Sequence, residues 1–172
     1  MQDAEAKDAS NEWRAKAASD QLNRILGFFA RVESKSNAIF ATNTGMLALF
    51  GVHLRWSSLP VWYIVAPAVI GAGLLAASFV YLYLAATPQT KGGARSLIYF
   101  KEIAARTEAD FLAAIQACSE ERYTEQMFAQ VWRNAEIVTQ KFFYVKCAFL
   151  CTAAAVLPWV TALTASSFHS AG

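Results

Sequence analysis

Three long stretches of this chain lack Lys, Arg, Asp and Glu altogether: Ser36 to Leu54, Trp56 to Gln89 and Cys147 to Gly172. Charged residues make up 16% of the 172 positions and hydrophobic ones 56%, a balance that excludes an ordinary soluble domain of this length. Histidine is scarce. His53 and His169 both fall in the uncharged stretches, with no acid, base and nucleophile set around them, so no catalytic residue is assigned and no enzyme is expected. Cysteine is scarce too: Cys118 stands alone, and Cys147 and Cys151 sit one helical turn apart without a His or carboxylate beside them. That excludes a disulfide framework and a metal-ligand set, and reduced thiols and no cofactor are expected. There is no alternating strand pattern, no internal repeat and no second soluble domain.

What is there instead is enough apolar length to cross a bilayer three times, since a spanning helix needs roughly 17 to 25 mostly apolar residues. The fold class predicted is an all-α, multi-pass integral membrane protein, with three transmembrane helices at 37–54, 62–86 and 142–163. The first apolar run begins only near Asn37, after a segment rich in both charge signs, which argues against a cleaved signal peptide. Of the 15 basic residues, six lie in 1–35 and eight in 91–146, leaving Arg55. Basic residues near membrane ends stay in the cytoplasm, so the N-terminus is placed inside, the 55–61 turn outside and the 164–172 tail outside. Trp56, Trp62 and Trp159 would then mark the outer interface, and Tyr81, Tyr83 and Tyr144 the inner one.

The charged remainder reads as helical. Residues 1–21 are Ala-rich and poor in large apolar groups, which predicts a weak helix or a disordered tail. A cytoplasmic helix over 22–36 follows, with Leu22, Ile25, Leu26 and Phe29 at helical spacing, and it runs on into the first span. The second span carries Pro67 and ends at the Pro88, Gly92 and Gly93 region. The cytoplasmic helical region 91–141 restarts near Arg95, and Thr107 to Asp110 has the form of a capping box. From Glu120 to Leu157 there is neither Gly nor Pro, so one helix is expected to run from the cytosol into the third span, projecting roughly 30 Å before Phe142 at 1.5 Å per residue. Apolar stripes on these pieces predict a cytoplasmic helical bundle. On the last helix Phe128, Val131, Trp132, Ala135 and Val138 form the stripe, opposite a polar face of Gln126, Gln130, Arg133, Asn134 and Lys141.

Three features invite a functional reading. Lys91 to Arg95 joins two basic residues to flexible glycines at an expected helix start, a way to hold a phosphate and equally a basic exit linker. The polar face of the last helix is either solvated or able to read a base and its phosphate, since amides supply both donors and acceptors and Arg and Lys supply charge. Within the first span, Asn37 and Asn43 call for interhelical hydrogen bonds or a wet cavity. Ala72, Gly73 and Ala76 on the second span make a small-residue surface that allows close helix approach.

Two blocks of residues resemble the transmembrane effectors of Pycsar, a bacterial anti-phage system in which a cyclase makes a cyclic pyrimidine mononucleotide that activates a membrane-damaging partner. The first is Arg31, Glu33, Lys35, Ser36 and Asn37, followed by the apolar run with Asn43 and Gly45. The second comprises Ser96 to Phe100, Glu108, Phe111, Tyr123, Gln130, Asn134 and Lys141. The likeness covers Leu22 to Leu163. Ser36 departs mildly from the Ala common at that place, and the chain has no room for a fused cyclic-nucleotide-binding barrel. A ligand site must then be built from the helical bundle or between subunits.

The resemblance implies an effector in the bacterial inner membrane that impairs membrane integrity and causes abortive infection. Its activating ligand would be cyclic CMP or cyclic UMP made by a partner cyclase; its other partners are the lipid bilayer and further copies of itself, and no nucleic acid. Three helices cannot enclose an aqueous pore, hence the homo-oligomer. With that ligand in view, charge and hydrogen-bonding chemistry select Lys35, Arg95, Tyr99, Arg133, Asn134 and Lys141 for cyclic-nucleotide contact. The alternative function is a structural or accessory subunit of a membrane complex, using the cytoplasmic helices as a docking platform.

Overall fold

The computed structural model describes residues 2–53, 61–88, 93 and 95–171. The expected outer turn with Arg55 and Trp56, and Lys91 of the exit linker, lie outside the described residues. Those described form five helices: α1 (Gln2–His53), α2 (Trp62–Ala86), α3 (Phe100–Ala104), α4 (Glu108–Gln116) and α5 (Glu120–Ala171). They divide into two units, the first made of Met1–Ala30 with Pro88–Thr139 and the second of Arg31–Thr87 with Gln140–Gly172.

Helix α1 begins at Gln2, so of the weak helix or disordered tail expected over 1–21 the structure has the helix. Its early part holds Ala4, Ala6, Ala9, Ala15, Ala17 and Ala18, the best helix former, and no Pro or Gly precedes Gly27. Packing completes the account, because Ala18 is fully buried and Asn11 and Ala15 lie half-buried two turns and one turn before it. From Asp20 to His53 the residues withdrawn from the surface are Leu22, Ile25, Phe29, Val32, Ser36, Ile39, Asn43, Met46 and Phe50. Their spacing alternates between three and four without a skip, the 3.5-residue period of coiled-coil packing. Helix α2 repeats it with Ile64, Ala68, Gly71, Leu75, Ser78, Leu82 and Ala85.

In the second unit this period sorts side chains by size. Buried positions carry Asn43, Ala68, Ser78, Ala85, Ala148, Thr152, Ala155 and Ala162, with Met46, Phe50, Leu75 and Val145 among them. Bulky groups face outward instead: Phe40, Leu47 and Val52 on α1, Val69, Ile70 and Val80 on α2, Phe149, Leu150 and Leu157 on α5. Small inside and large apolar outside is how helices pack when their surroundings are as apolar as they are. A Cβ placed on Gly71 would lie 3.3 Å from Phe50 Cζ and 3.4 Å from the Trp159 backbone nitrogen, so glycine there sets how closely the helices approach. The Trp159 indole donates to Met46 O at 2.9 Å and Ser166 Oγ to His53 O at 3.0 Å, tying α5 to α1.

Among the described residues two helices, α2 and the Glu120–Phe168 stretch of α5, are long and apolar enough to cross a membrane. Pro67 and Pro158 sit inside them without ending them, which membrane helices tolerate because neighbours re-satisfy the freed carbonyls. The Ala72, Gly73 and Ala76 surface lies on the exposed side of α2, and a Cβ on Gly73 would meet nothing within 4 Å. The small residues used inside the chain are Ala68, Gly71, Ser78 and Ala85. Asn37 is exposed as well.

The first unit joins α3 and α4 to the first part of α5 by short turns with local caps. Thr107 Oγ1 accepts from the Asp110 N–H at 3.2 Å and donates to the Asp110 carboxylate at 2.7 Å, so this residue opens α4. Ser119 Oγ accepts from the Arg122 N–H at 3.3 Å, doing the same for α5. On α5 the expected stripe holds in part, with Val138 buried and Phe128, Val131 and Ala135 half-buried. Trp132 is 63% exposed, whereas Gln130 and Asn134 are buried.

Candidate functional site

The first unit contains a cleft of about 410 Å³ lined by Gly93, Arg95 and Ser96 from the segment before α3 and by Arg122, Glu125, Gln126, Ala129 and Arg133 from α5. Positions 122, 126, 129 and 133 recur at helical spacing, so one face of α5 forms the wall. The opposite wall is held by backbone hydrogen bonds. Ser96 N–H donates to Gly93 O at 3.3 Å, closing a turn whose third residue is Arg95 at φ 59°.

Left-handed backbone is rare for a residue with a Cβ and costs on the order of 1 kcal/mol. Arg95 keeps it because both its backbone groups are engaged: its N–H donates to Glu102 Oε2 at 2.7 Å, and its carbonyl accepts from Arg106 Nη2 at 2.9 Å. Ser96 Oγ accepts from the N–H groups of Ile98 and Tyr99, at 3.2 and 3.1 Å, and Gln126 Oε1 accepts from Leu97 N–H at 2.8 Å. These bonds occupy the N–H groups that a helix starting at Arg95 would have left open. They also explain why α3 starts at Phe100, five residues later than expected.

Three guanidinium groups against the single Glu125 carboxylate make this cleft a place for an anion. Arginine can grip a phosphate through two parallel N–H bonds, and the cleft offers three such forks. Gly93 makes room for one of them, since a Cβ there would fall 2.2 Å from Arg133 Nη1.

Of the six residues selected for ligand contact, Arg95 and Arg133 line this cleft together. Tyr99 and Asn134 belong to the same unit but are buried outside the lining, at 7% and 9% exposure. The Tyr99 hydroxyl and Gln130 Oε1 are buried without a hydrogen-bond partner among the described residues, while Gln130 Nε2 donates to Asn134 Oδ1 at 3.0 Å. Lys35 and Lys141 belong to the second unit. Lys141 Nζ donates to Ala85 O, and to Thr87 O at 3.4 Å, at the end of α2, which has no basic residue in its own last turn. A cation contributed by α5 thus covers the orphan carbonyls of α2. Burial lowers the Lys141 ammonium's pKa below its ordinary 10.5, with the Glu33 carboxylate pulling the other way. Arg122 and Ser96 were missed as site residues, although Arg122, Gln126 and Arg133 already shared a helix face in the sequence.

The second unit has a polar centre of its own, one residue per helix. Asn43 Nδ2 donates to Ser78 Oγ at 2.8 Å, Ser78 Oγ lies 2.9 Å from Thr152 Oγ1, and Thr152 Oγ1 donates to Asn43 Oδ1 at 2.8 Å. All three are buried; the Ala148 carbonyl accepts from the Ser78 hydroxyl at 2.9 Å and lies 3.0 Å from Thr152 Oγ1, an alternative acceptor for that hydroxyl's one proton. No buried polar atom in this layer is left unpaired, which matters where no water can substitute.

An all-helical membrane protein is defined by these features, one unit turning small and polar groups inward and bulky apolar ones outward, the other carrying an anion-accepting cleft. The chain belongs to the Pycsar effectors: the family model for the Pycsar effector protein domain, PycTM, matches residues 17–166. That match bears out the resemblance and makes the chain an anti-phage membrane effector. No curated protein and no solved structure matches it.

Proposed function

We propose that this effector is activated by a cyclic pyrimidine mononucleotide, cyclic CMP or cyclic UMP, held in the Arg95, Arg122 and Arg133 cleft, and that activation opens the bacterial inner membrane. The observation that carries the reading is the convergence of three arginines on a cleft of about 410 Å³ beside a strained residue, Arg95. Backbone strain of this kind clusters at ligand clamps and switch regions. A cyclic phosphate has one negative charge for the guanidinium groups, and a pyrimidine edge offers donors and acceptors of the kind that Gln126 and Ser96 can meet.

The second unit acts as the membrane element, with α1, α2 and α5 each crossing once, the N-terminus in the cytoplasm and the C-terminus outside. Exposed Phe40, Leu47 and Val52 support counting α1 as a span despite its Asn and Thr content. Three spans enclose no aqueous path, so the working form is a homo-oligomer. Trp13, Phe100 and Trp132, at 63 to 70% exposure in the first unit, are the apolar groups such an assembly would cover. The same exposed residues favour the second reading, an accessory subunit docked on another protein. Switching from 1% to 99% active requires the ligand to prefer the active arrangement by about 10⁴-fold.

The test is dye entry into cells expressing the protein when cyclic CMP or cyclic UMP is supplied, alongside binding to purified protein. Wild type should bind one of them and admit dye, and Arg122→Gln with Arg133→Gln should do neither while keeping its helical content. Absence of binding by wild type to both nucleotides defeats the reading.

A further inference from the structure

A second cavity, of about 560 Å³, lies within the second unit between α1 and α5. At one end stand Lys35 and Lys146, both exposed, and the Lys35 ammonium sits 5.5 Å from the centre of the Phe142 ring. Beyond them the walls are apolar, with Ile39 on α1 and Phe149 on α5, the latter 58% exposed. Thr42 adds no polarity, because its hydroxyl donates to the carbonyl of Ala38 in its own helix at 3.0 Å. The groove follows α1 from Lys35 to Thr42, seven residues, or about 10 Å at 1.5 Å per residue.

The geometry points to this groove as the seat of an anionic phospholipid, its headgroup phosphate between Lys35 and Lys146 and its acyl chain along Ile39 and Phe149. Charge and apolarity are separated along the groove as they are along a phospholipid, with both cations at the end where the charge-free stretches of α1 and α5 begin. A cyclic nucleotide has a phosphate but no chain to cover the apolar length, so Lys35 is assigned to lipid rather than to the activating ligand. Basic residues between membrane helices at the cytoplasmic side are the usual receptors for such headgroups. The inference rests on the second unit standing in the bilayer with Lys35 at its cytoplasmic edge, and is independent of which nucleotide activates the protein.

The full chain is placed in phosphatidylcholine nanodiscs containing a trace of spin-labelled phosphatidylglycerol or spin-labelled phosphatidylcholine, and the motionally restricted fraction is compared. Phosphatidylglycerol should be preferred roughly five- to tenfold, an advantage that falls with salt. Lys35→Gln with Lys146→Gln should bring the preference close to one, and Lys35→Arg with Lys146→Arg should retain it, which separates charge from folding. Free glycerol phosphate should not compete. Equal restriction of the two lipids by wild type, or an unchanged preference in the double Gln variant, overturns the proposal. So does efficient cross-linking between copies through Thr42→Cys, which would give the groove to a second chain. Failure of the protein to resist carbonate extraction from the nanodiscs' parent vesicles would remove the membrane reading as well, and is distinguished from loss of lipid preference by that control.

Discussion

Asn43→Ala and Thr152→Val, made singly and together, test whether the polar layer of the second unit is a coupled network. Thr152→Val replaces a hydroxyl by a methyl of similar size and opens no void, but strands Asn43 Oδ1, which had accepted from it at 2.8 Å. Interhelical hydrogen bonds in a bilayer contribute about 0.6 kcal/mol on average and up to about 1.7. Thr152→Val should therefore cost about 1 kcal/mol, and Asn43→Ala, which loses bonds to both Ser78 and Thr152 and leaves a small cavity, about 2 kcal/mol. In the absence of Asn43 the Thr152 hydroxyl still reaches Ala148 O, so removing it then costs less. The double variant should be more stable than the sum of the singles implies, by about 0.6 to 1 kcal/mol. Unfolding in mixed micelles, followed by the fluorescence of Trp159, whose indole is bonded to Met46 O in the same bundle, reads all four proteins. Costs that add within about 0.3 kcal/mol would refute the network.

Gly93→Ala should push the Arg133 guanidinium out of the cleft and weaken cyclic-nucleotide binding about tenfold, the loss of about one charge-assisted hydrogen bond, while leaving the melting temperature nearly unchanged. Gly71→Val should destabilise the second unit by about 1 to 3 kcal/mol through collision with Phe50 and the Trp159 backbone, visible as a lower denaturation midpoint. Lys141→Met removes the bonds to the carbonyls at the end of α2 together with the desolvation cost of the ammonium, two opposed effects, and should change stability at neutral pH by about 1 kcal/mol or less. Because the folded pKa of Lys141 lies below 10.5, the unfolded chain holds its proton longer, so wild type should gain stability as pH rises toward 10.5. Denaturation of Lys141→Met over the same range should lack that gain.

Much of the helical layout could be read in advance because it depends on local chemistry. Thr107 followed by Asp110 is a cap in any surroundings, and the stretch from Glu120 without Gly or Pro has nothing to stop it. Helix α5 even continues to Ala171, since Pro158 lies where neighbouring helices absorb the lost bond. The start of α3 was misplaced because no propensity reveals that Arg95 adopts a left-handed backbone; that depends on Glu102 and Arg106, seven and eleven residues away. The inward face of α5 was misread only at Gln130, Trp132 and Asn134, and for a different reason. An apolar stripe was expected, but the repeat withdrawn from the surface includes Asn134, Lys141 and Thr152, polar residues bonded to Gln130 on the same helix, to carbonyls at the end of α2 and to Asn43 on α1, respectively. Trp132, the largest member of the expected stripe, stays outside. For the cleft, Arg95 and Arg133 could be chosen by charge, but Arg122 becomes their neighbour only once the turn before α3 is laid against α5.

The polar layer also limits how the bundle can move. If α5 slid along its neighbours by three or four residues, Ala148 or Ala155 would replace Thr152 in the repeat and leave the carboxamide of Asn43 facing a methyl group. Such a step has a barrier set by stranded hydrogen bonds, whereas tilting or a small twist about the helix axis can keep all three residues in touch. The layer therefore behaves as a detent against translation. A gate built on this bundle would be expected to open by rotation, with Asn43, Ser78 and Thr152 as its pivot.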